Sequence, residues 1–297
     1  MRAVPKHTKR NRIYIALIVT LLISGGVAFN NLFTNKIDKV VKAPATGIQH
    51  LLIYSPMVEV RLHHSSNRSE IQAVLSGIAP AMSDFDLILE TRDKTIELRT
   101  VGNNNGLAVL STSTQVFVDV YLPDIRYETI KLSTQFSSIF SDYSIRARQL
   151  NFSSTLGGLS LHSFEGEQLH GRTTLGSLRV EQLDGNASLH TSAGSIVIDR
   201  WNSSLTDDSL IHSDRGNISI GMSDPEDINP LYINLRSNGR VQTDLQIAST
   251  EPTGDWRTIG MNKISGHIGK PGKALSEVSV SSNTGRITLL NLKQSNL

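Results

Sequence analysis

The feature that most constrains this chain is a corner that it makes again and again. Gly-x-apolar-x-apolar recurs as GGLSL (Gly157–Leu161), GSLRV (Gly176–Val180), GSIVI (Gly194–Ile198), GNISI (Gly216–Ile220), GRVQT (Gly239–Thr243) and GRITL (Gly285–Leu289). SSIFS (Ser137–Ser141) is an imperfect earlier copy with Ser137 in the glycine place, and GHIGK (Gly266–Lys270) reads as a divergent corner. From Ser137 to Gly239 the starting positions step by 20, 19, 18, 22 and 23 residues. A period near twenty suits one coil of a β-solenoid and is too short for a propeller blade or a βαβ unit.

The physics of such a repeat predicts which side chains face inward. Short strands pair with the coils above and below, so the residues two and four places after each glycine share one interior. Leu159, Leu178, Ile196, Ile218, Val241 and Ile287 then form one inward ladder. Leu161, Val180, Ile198, Ile220 and Leu289 form a second, with Thr243 as its polar exception. Glycine is expected at the corner for its positive φ. The polar residue two places earlier (Thr155, Thr174, Ser192, Asp214, Asn283) is expected to bond nearby backbone amides. No proline lies between Pro123 and Pro225, as fits a segment whose backbone N–H groups all serve ladders.

Before the repeats, residues 50–123 hold short alternating runs such as MVEVRL (Met57–Leu62), TIELRT (Thr95–Thr100) and VFVDVYLP (Val116–Pro123). Period-two alternation bounded by Gly, Asn, Ser or Pro predicts half-buried strands. No sustained 3.6-residue period occurs outside the N-terminal segment, and aromatics are only 5% of the chain. The fold class expected is all-β: a parallel β-helix-like solenoid over 124–297 preceded by short strands over 50–123.

The N-terminus differs. MRAVPKHTKRNR (residues 1–12) carries five Lys and Arg and no acid, and the uncharged run from Ile13 to Phe29 follows, extended by Leu32 and Phe33. Residues 13–33 are expected to be a transmembrane anchor. A cleaved signal peptide is the alternative, because Gly26, Val27 and Ala28 place small residues at a cleavage point. In both cases the basic flank stays cytoplasmic and the rest is exported. Residues 34–49 read as a polar linker.

Several function classes fall away. Setting aside the five basic residues before Ile13 leaves 24 basic against 27 acidic residues, so the exported part lacks the footprint that nucleic acid requires. No cysteine is present, which removes disulfides and thiol chemistry. The repeat glycine is no phosphate cradle, since a β-branched strand and not a helix follows it.

The serial TSAGSIVI-type turns, the VFVDVYLP entry and the closing ISGHIGKPGKALSEVSVSSNTGRITLL (Ile264–Leu290) resemble the DUF4097, or putative-adhesin, domain family, which includes the membrane-anchored LiaG. The likeness runs from about Val116 to Leu290 and departs at Ser137 and in the insert Met222–Tyr232. It implies a β-solenoid outside the cytoplasm, commonly anchored by an N-terminal helix, acting in adhesion or envelope-stress signalling.

Polar candidates are few. His190 and His212 each stand four residues before a repeat glycine, with Ser153 and Arg172 in the same column, and two imidazoles make a poor metal site. His63–His64 is assigned to a loop. Asp224, Glu226 and Asp227, like Asp207–Asp208, read as acidic loops without a calcium pattern. Glu181 and Asp199 occupy one column on adjacent coils, with His162, Gly221 and Asp244, and are the candidate carboxylate pair of a polysaccharide lyase or hydrolase. No Lys or Arg cluster completes such a site, and no Gly-x-Ser-x-Gly elbow supports a serine triad.

The expectation is a non-catalytic envelope protein, inner-membrane anchored or else secreted, presenting a rigid surface to an envelope protein or glycan. It needs no cofactor, metal or nucleic acid, and its structural residues are the corners Gly157, Gly176, Gly194, Gly216, Gly239 and Gly285. The alternative is a carbohydrate-active solenoid enzyme. Open solenoid ends would also allow edge-to-edge assembly.

Overall fold

The computed structural model describes residues 34–80, 83–103, 115–202, 207–223, 230–248, 261–269 and 276–292. The expected anchor or signal segment, residues 1–33, lies outside them, as does the acidic loop 224–229. Among the described residues no helix is long and apolar enough to cross a membrane.

Regular structure among these residues is entirely β, and eighteen strands join one hydrogen-bonded sheet. They are β1 (Thr34–Pro44), β2 (His50–Ser55), β3 (Glu59–Ser65), β4 (Glu70–Pro80), β5 (Asp84–Arg92) and β6 (Thr95–Asn103). Next come β7 (Gln115–Pro123), β8 (Tyr127–Thr134), β9 (Ile139–Ser154), β10 (Leu159–Thr173), β11 (Leu178–Ala193) and β12 (Ile196–Asn202). The last are β13 (Ser209–Arg215), β14 (Ile218–Met222), β15 (Leu231–Thr243), β16 (Met261–Ile268), β17 (Ser276–Ser282) and β18 (Ile287–Asn291).

Parallel pairing dominates and runs along two faces. On one face β6, β2, β8, β9, β10, β11, β13, β17 and β15 are successive neighbours. On the other the order is β7, β3, β9, β10, β11, β12, β14, β18 and the end of β15. Antiparallel strands sit at the ends: β5 on β6, β4 on β7, β1 on β4, and β16 on β15. A plain solenoid lacks these, and they cover the edges that open ends would expose.

One interior runs the length of both faces. Val118, Val60, Ile139, Leu159, Leu178, Ile196, Ile218, Ile287 and Val241 are in register across nine strands, none more than 2% exposed. The parallel column on the other face includes Leu98, Ile53, Leu132, Phe152, Gly171, Leu189, Ile211, Val280 and Leu235. Each side chain of this size, fully buried, contributes on the order of 1.5–3 kcal/mol of transfer free energy.

Four sequence expectations need correction. The repeat glycines are not left-handed: positive φ occurs at Gly47, Gly77, Gly185 and Gly269 among the described glycines. They are required for closeness instead. A Cβ on Gly176 would strike the carbonyl oxygen of Gly157, one on Gly194 that of Gly176, and one on Gly216 that of Gly194. At four corners the bonding hydroxyl also stands three places before the glycine, not two. Thr173, Thr191, Ser213 and Ser282 donate to the carbonyls of Gly157, Gly176, Gly194 and Gly216, at 2.8, 2.9, 3.0 and 3.0 Å. At these corners the −3 position points inward, where an unsatisfied carbonyl would be costly, whereas the −2 position is at least partly exposed. At the Gly239 corner the buried Ser237, two places before, donates to the carbonyl of Gly285 instead.

The third correction concerns order. Gly285 stacks on Gly216, and Gly239 stacks on Gly285, so the final turn occupies a slot between two turns that precede it in sequence. Gly266 is no corner at all; it pairs with Ile233 in mid-strand. Fourth, the expected linker 34–49 contains β1, paired with β4 over eleven residues, though only Ile37 and Ala43 of that strand are buried. An edge strand satisfies its backbone on one side and needs few apolar side chains, so its sequence resembles a polar tether. Parallel pairing also passes across the expected division at 123/124, because β2 pairs with β8 and β3 with β9.

Candidate functional site

Residues on either side of an inward position in a strand point outward. On the face built by β8, β9, β10 and β11, the inward residues are Leu132, Phe152, Gly171 and Leu189. Their flanking neighbours form two outward columns: Lys131, Asn151, His170, Ser188 and Ser133, Ser153, Arg172, His190. An open groove of about 420 Å³ lies along them. Lys131, His170 and Arg172 are exposed, and no ion pair engages them among the described residues. On the same strands, Arg146 pairs with Asp124 and Glu165, and Arg148 with Glu128 and Glu167. The groove carries no acidic residue in its lining.

The groove ends where His190 stacks on His212, with ring centroids 5.2 Å apart and planes 25° from parallel. Burial, and then the neighbouring His212, hold the His190 imidazole below its ordinary value of 6.5. His212 Nδ1 lies 2.7 Å from Ser281 Oγ and its Nε2 lies 3.0 Å from Asp214 Oδ1. Its bond to His212 is the main reason that the Asp214 carboxyl lies below its usual value. The two imidazoles are adjacent, as the register requires, but both nitrogens of His212 are engaged. Among the described residues no group of three or more His, Asp or Glu is placed to hold a metal.

Glu181 and Asp199 are on the opposite face. His162 Nδ1 lies 2.8 Å from Glu181 Oε2, and Arg179 donates to Asp199 at 2.5 Å. Each carboxylate therefore has its own basic partner, and both side chains are more than a third exposed. Glu181 and Asp199 are neighbours in one column, and Arg179 reaches Asp199 from the adjacent outward column.

The third cluster was not legible in the sequence. His63 belongs to β3 and not to a loop; its Nε2 lies 2.9 Å from Asp119 in β7 and its Nδ1 2.7 Å from Asp142 in β9. Burial acts to lower its pKa, but the two carboxylates together raise it above 6.5. Three strands far apart in sequence are clamped by one ring. Nothing periodic links residues 63, 119 and 142. The groove was partly legible: Arg172 and His190 share the −4 offset from their glycines, and the same count at −6 would have found Lys131, Asn151 and His170.

Three successive corners also carry an apolar ridge. Phe136, Leu156 and Leu175, each just before a corner, are 50%, 43% and 48% exposed. Backbone bonds from Leu156 to Gln135 and from Leu175 to Thr155 hold the three corners in line.

No family model and no curated relative matches the chain. Solved structures do. The chain is similar to bacterial proteins described as adhesins. One is a "putative cell adhesion protein" from Clostridium sporogenes, 14% identical, with 86% of this chain and 100% of that one covered and a TM-score of 0.34. A "putative adhesin" from Bacteroides fragilis is 11% identical, with 87% and 98% covered and a TM-score of 0.39. Another from Parabacteroides distasonis is 7% identical over the same shares, with a TM-score of 0.37.

Proposed function

We propose that this chain is a non-catalytic envelope protein, anchored through residues 13–33 with its β body outside the cytoplasm, which presents a stiff surface for adhesion to a protein or glycan. In this reading the body is a β-solenoid of the DUF4097 type, modified by its antiparallel ends. The observation that carries the reading is the contrast between the two faces. The only carboxylate pair that the sequence offered for hydrolysis, Glu181 and Asp199, is tied up with His162 and Arg179. The groove on the other face, by contrast, holds cations without partners, and three successive corners each expose a large apolar side chain. Clustered exposed apolar residues and unpaired charges mark contact surfaces. General acid catalysis by a carboxyl instead requires an environment that keeps it protonated, which a basic neighbour opposes. Envelope-stress signalling would be a consequence of such contact.

The reading is tested by incubating the full-length protein in detergent with isolated envelope material and with purified polysaccharides. Retention on the envelope fraction with no release of new reducing ends is expected. Cleavage that disappears in Glu181→Ala or Asp199→Ala would replace the reading with the enzymatic one.

A further inference from the structure

We infer that the groove over β8–β11 is a site for a linear polyanionic glycan lying across the strands. The inference rests on the surface-presenting role proposed above and names its ligand class. Three observations lead to it. Lys131, His170, Arg172 and His190 come from three different strands and meet on one face without an acid among the groove-lining residues. Asn151 and Ser188 stand between them in register, supplying neutral donors and acceptors of the kind that sugar hydroxyls use. The geometry is also periodic: parallel strands lie about 4.8 Å apart, close to the advance of one pyranose ring along an extended chain. A glycan running perpendicular to the strands thus meets a new pair of polar side chains at each sugar.

Charge complementarity selects the anionic member of that class. A guanidinium and an ammonium in a groove lined by no acid attract a carboxylate or phosphate, and a guanidinium can bind either in a bidentate manner. A compact single anion does not fit as well, because Lys131 and Arg172 stand two strands apart, on β8 and β10, roughly 10 Å at the usual spacing. The acid-bearing His212 end, where Asp214 sits, bounds the site and sets its direction. A nucleic acid offers a bulkier and more strongly charged backbone than this short strip matches, and it becomes a control in the test.

The test uses the full-length protein in detergent micelles and titrates four probes by calorimetry. They are an oligogalacturonate, its methyl-esterified form, poly(glycerol phosphate) and a single-stranded oligonucleotide of equal charge. Binding of the oligogalacturonate is expected, with affinity rising as it is lengthened from two to about four units and falling with added salt. Tighter binding of poly(glycerol phosphate), which has no sugar rings, would overturn the glycan assignment. Lys131→Gln and Arg172→Gln should each weaken binding about tenfold, while Lys94→Gln, at a distant turn, should leave it unchanged. Unaltered melting of the variants by circular dichroism confirms that they fold. Equal binding of the methyl ester, equal or tighter binding of the oligonucleotide, or insensitivity to both groove variants would overturn the inference. If no probe binds but the protein still holds to envelope material, the inference fails and the adhesive reading survives; if neither occurs, both fail.

Discussion

Thr191 Oγ1 donates a 2.9 Å hydrogen bond to the carbonyl oxygen of Gly176, so a hydroxyl of one repeat caps the corner of the repeat before it. Thr191 is fully buried, and no water can replace the bond. Thr191→Val keeps the shape and removes the donor, which should cost about 1–3 kcal/mol. Thr191→Ser should recover most of it. Urea unfolding of the three proteins measures the difference.

The glycine ladder makes a second prediction of different origin. A methyl group on Gly194 meets backbone, the Gly176 carbonyl, which cannot rotate aside. Gly194→Ala should therefore cost about 3 kcal/mol or more, the upper range for overpacking. Gly47 provides the comparison, since nothing lies near its added Cβ but its φ is +78°. Gly47→Ala should cost only about 1 kcal/mol through backbone strain. Similar losses at the two positions would mean that conformation, not contact, selects the repeat glycines.

The out-of-order turn is testable by coupling. Ile287 lies between Ile218 and Val241, in register with both. Each substitution to Ala should cost about 2–5 kcal/mol for the isoleucines. Ile218→Ala and Ile287→Ala should be non-additive by about 0.5–3 kcal/mol, because the side chains touch. Ile218→Ala and Val241→Ala, separated by a strand, should add to within about 0.5 kcal/mol. The reverse pattern would restore simple sequential stacking.

His63 predicts a pH dependence. Its folded pKa is raised by Asp119 and Asp142 over the opposing effect of burial, while the unfolded value is about 6.5. The stabilisation is therefore complete below pH 6.5 and is lost as pH rises through the higher folded value. The groups facing the ring are Asp119, Asp142 and Tyr121, whose ring centroid is 5.3 Å away. His63→Gln should remove the excess stability of the wild type at mildly acidic pH and leave the two proteins closer at alkaline pH. Thermal midpoints recorded from pH 5 to about pH 9 check it; a wild-type advantage that grows with pH would be the wrong sign.

Much of the core could be read from local pattern. Ile196 and Ile218 were placed side by side from their distance to a glycine, and they pair in register, each fully buried. Ser137 could be recognised as a glycine substitute, and its carbonyl is indeed the one that the Cβ of a substituted Gly157 would meet. The polar candidates were less legible. His190 beside His212 followed from the offset, but the bonds that occupy His212 come from Ser281 and Asp214, one of them sixty-nine residues away.

The sequence by itself determined the strand period, the corner spacing and the inward side of the repeats, because alternation after a recurring glycine is a property of a few consecutive residues. Only the tertiary structure decided which turn lies on which. The slot for β17 and β18, the union of 50–65 with 127–143, and the meeting of His63 with Asp119 and Asp142 all depend on chain closure over long separations. Equivalent apolar ladders accept any matching strand, so backbone pairing and the fit of the whole stack select among partners that the local pattern leaves equal.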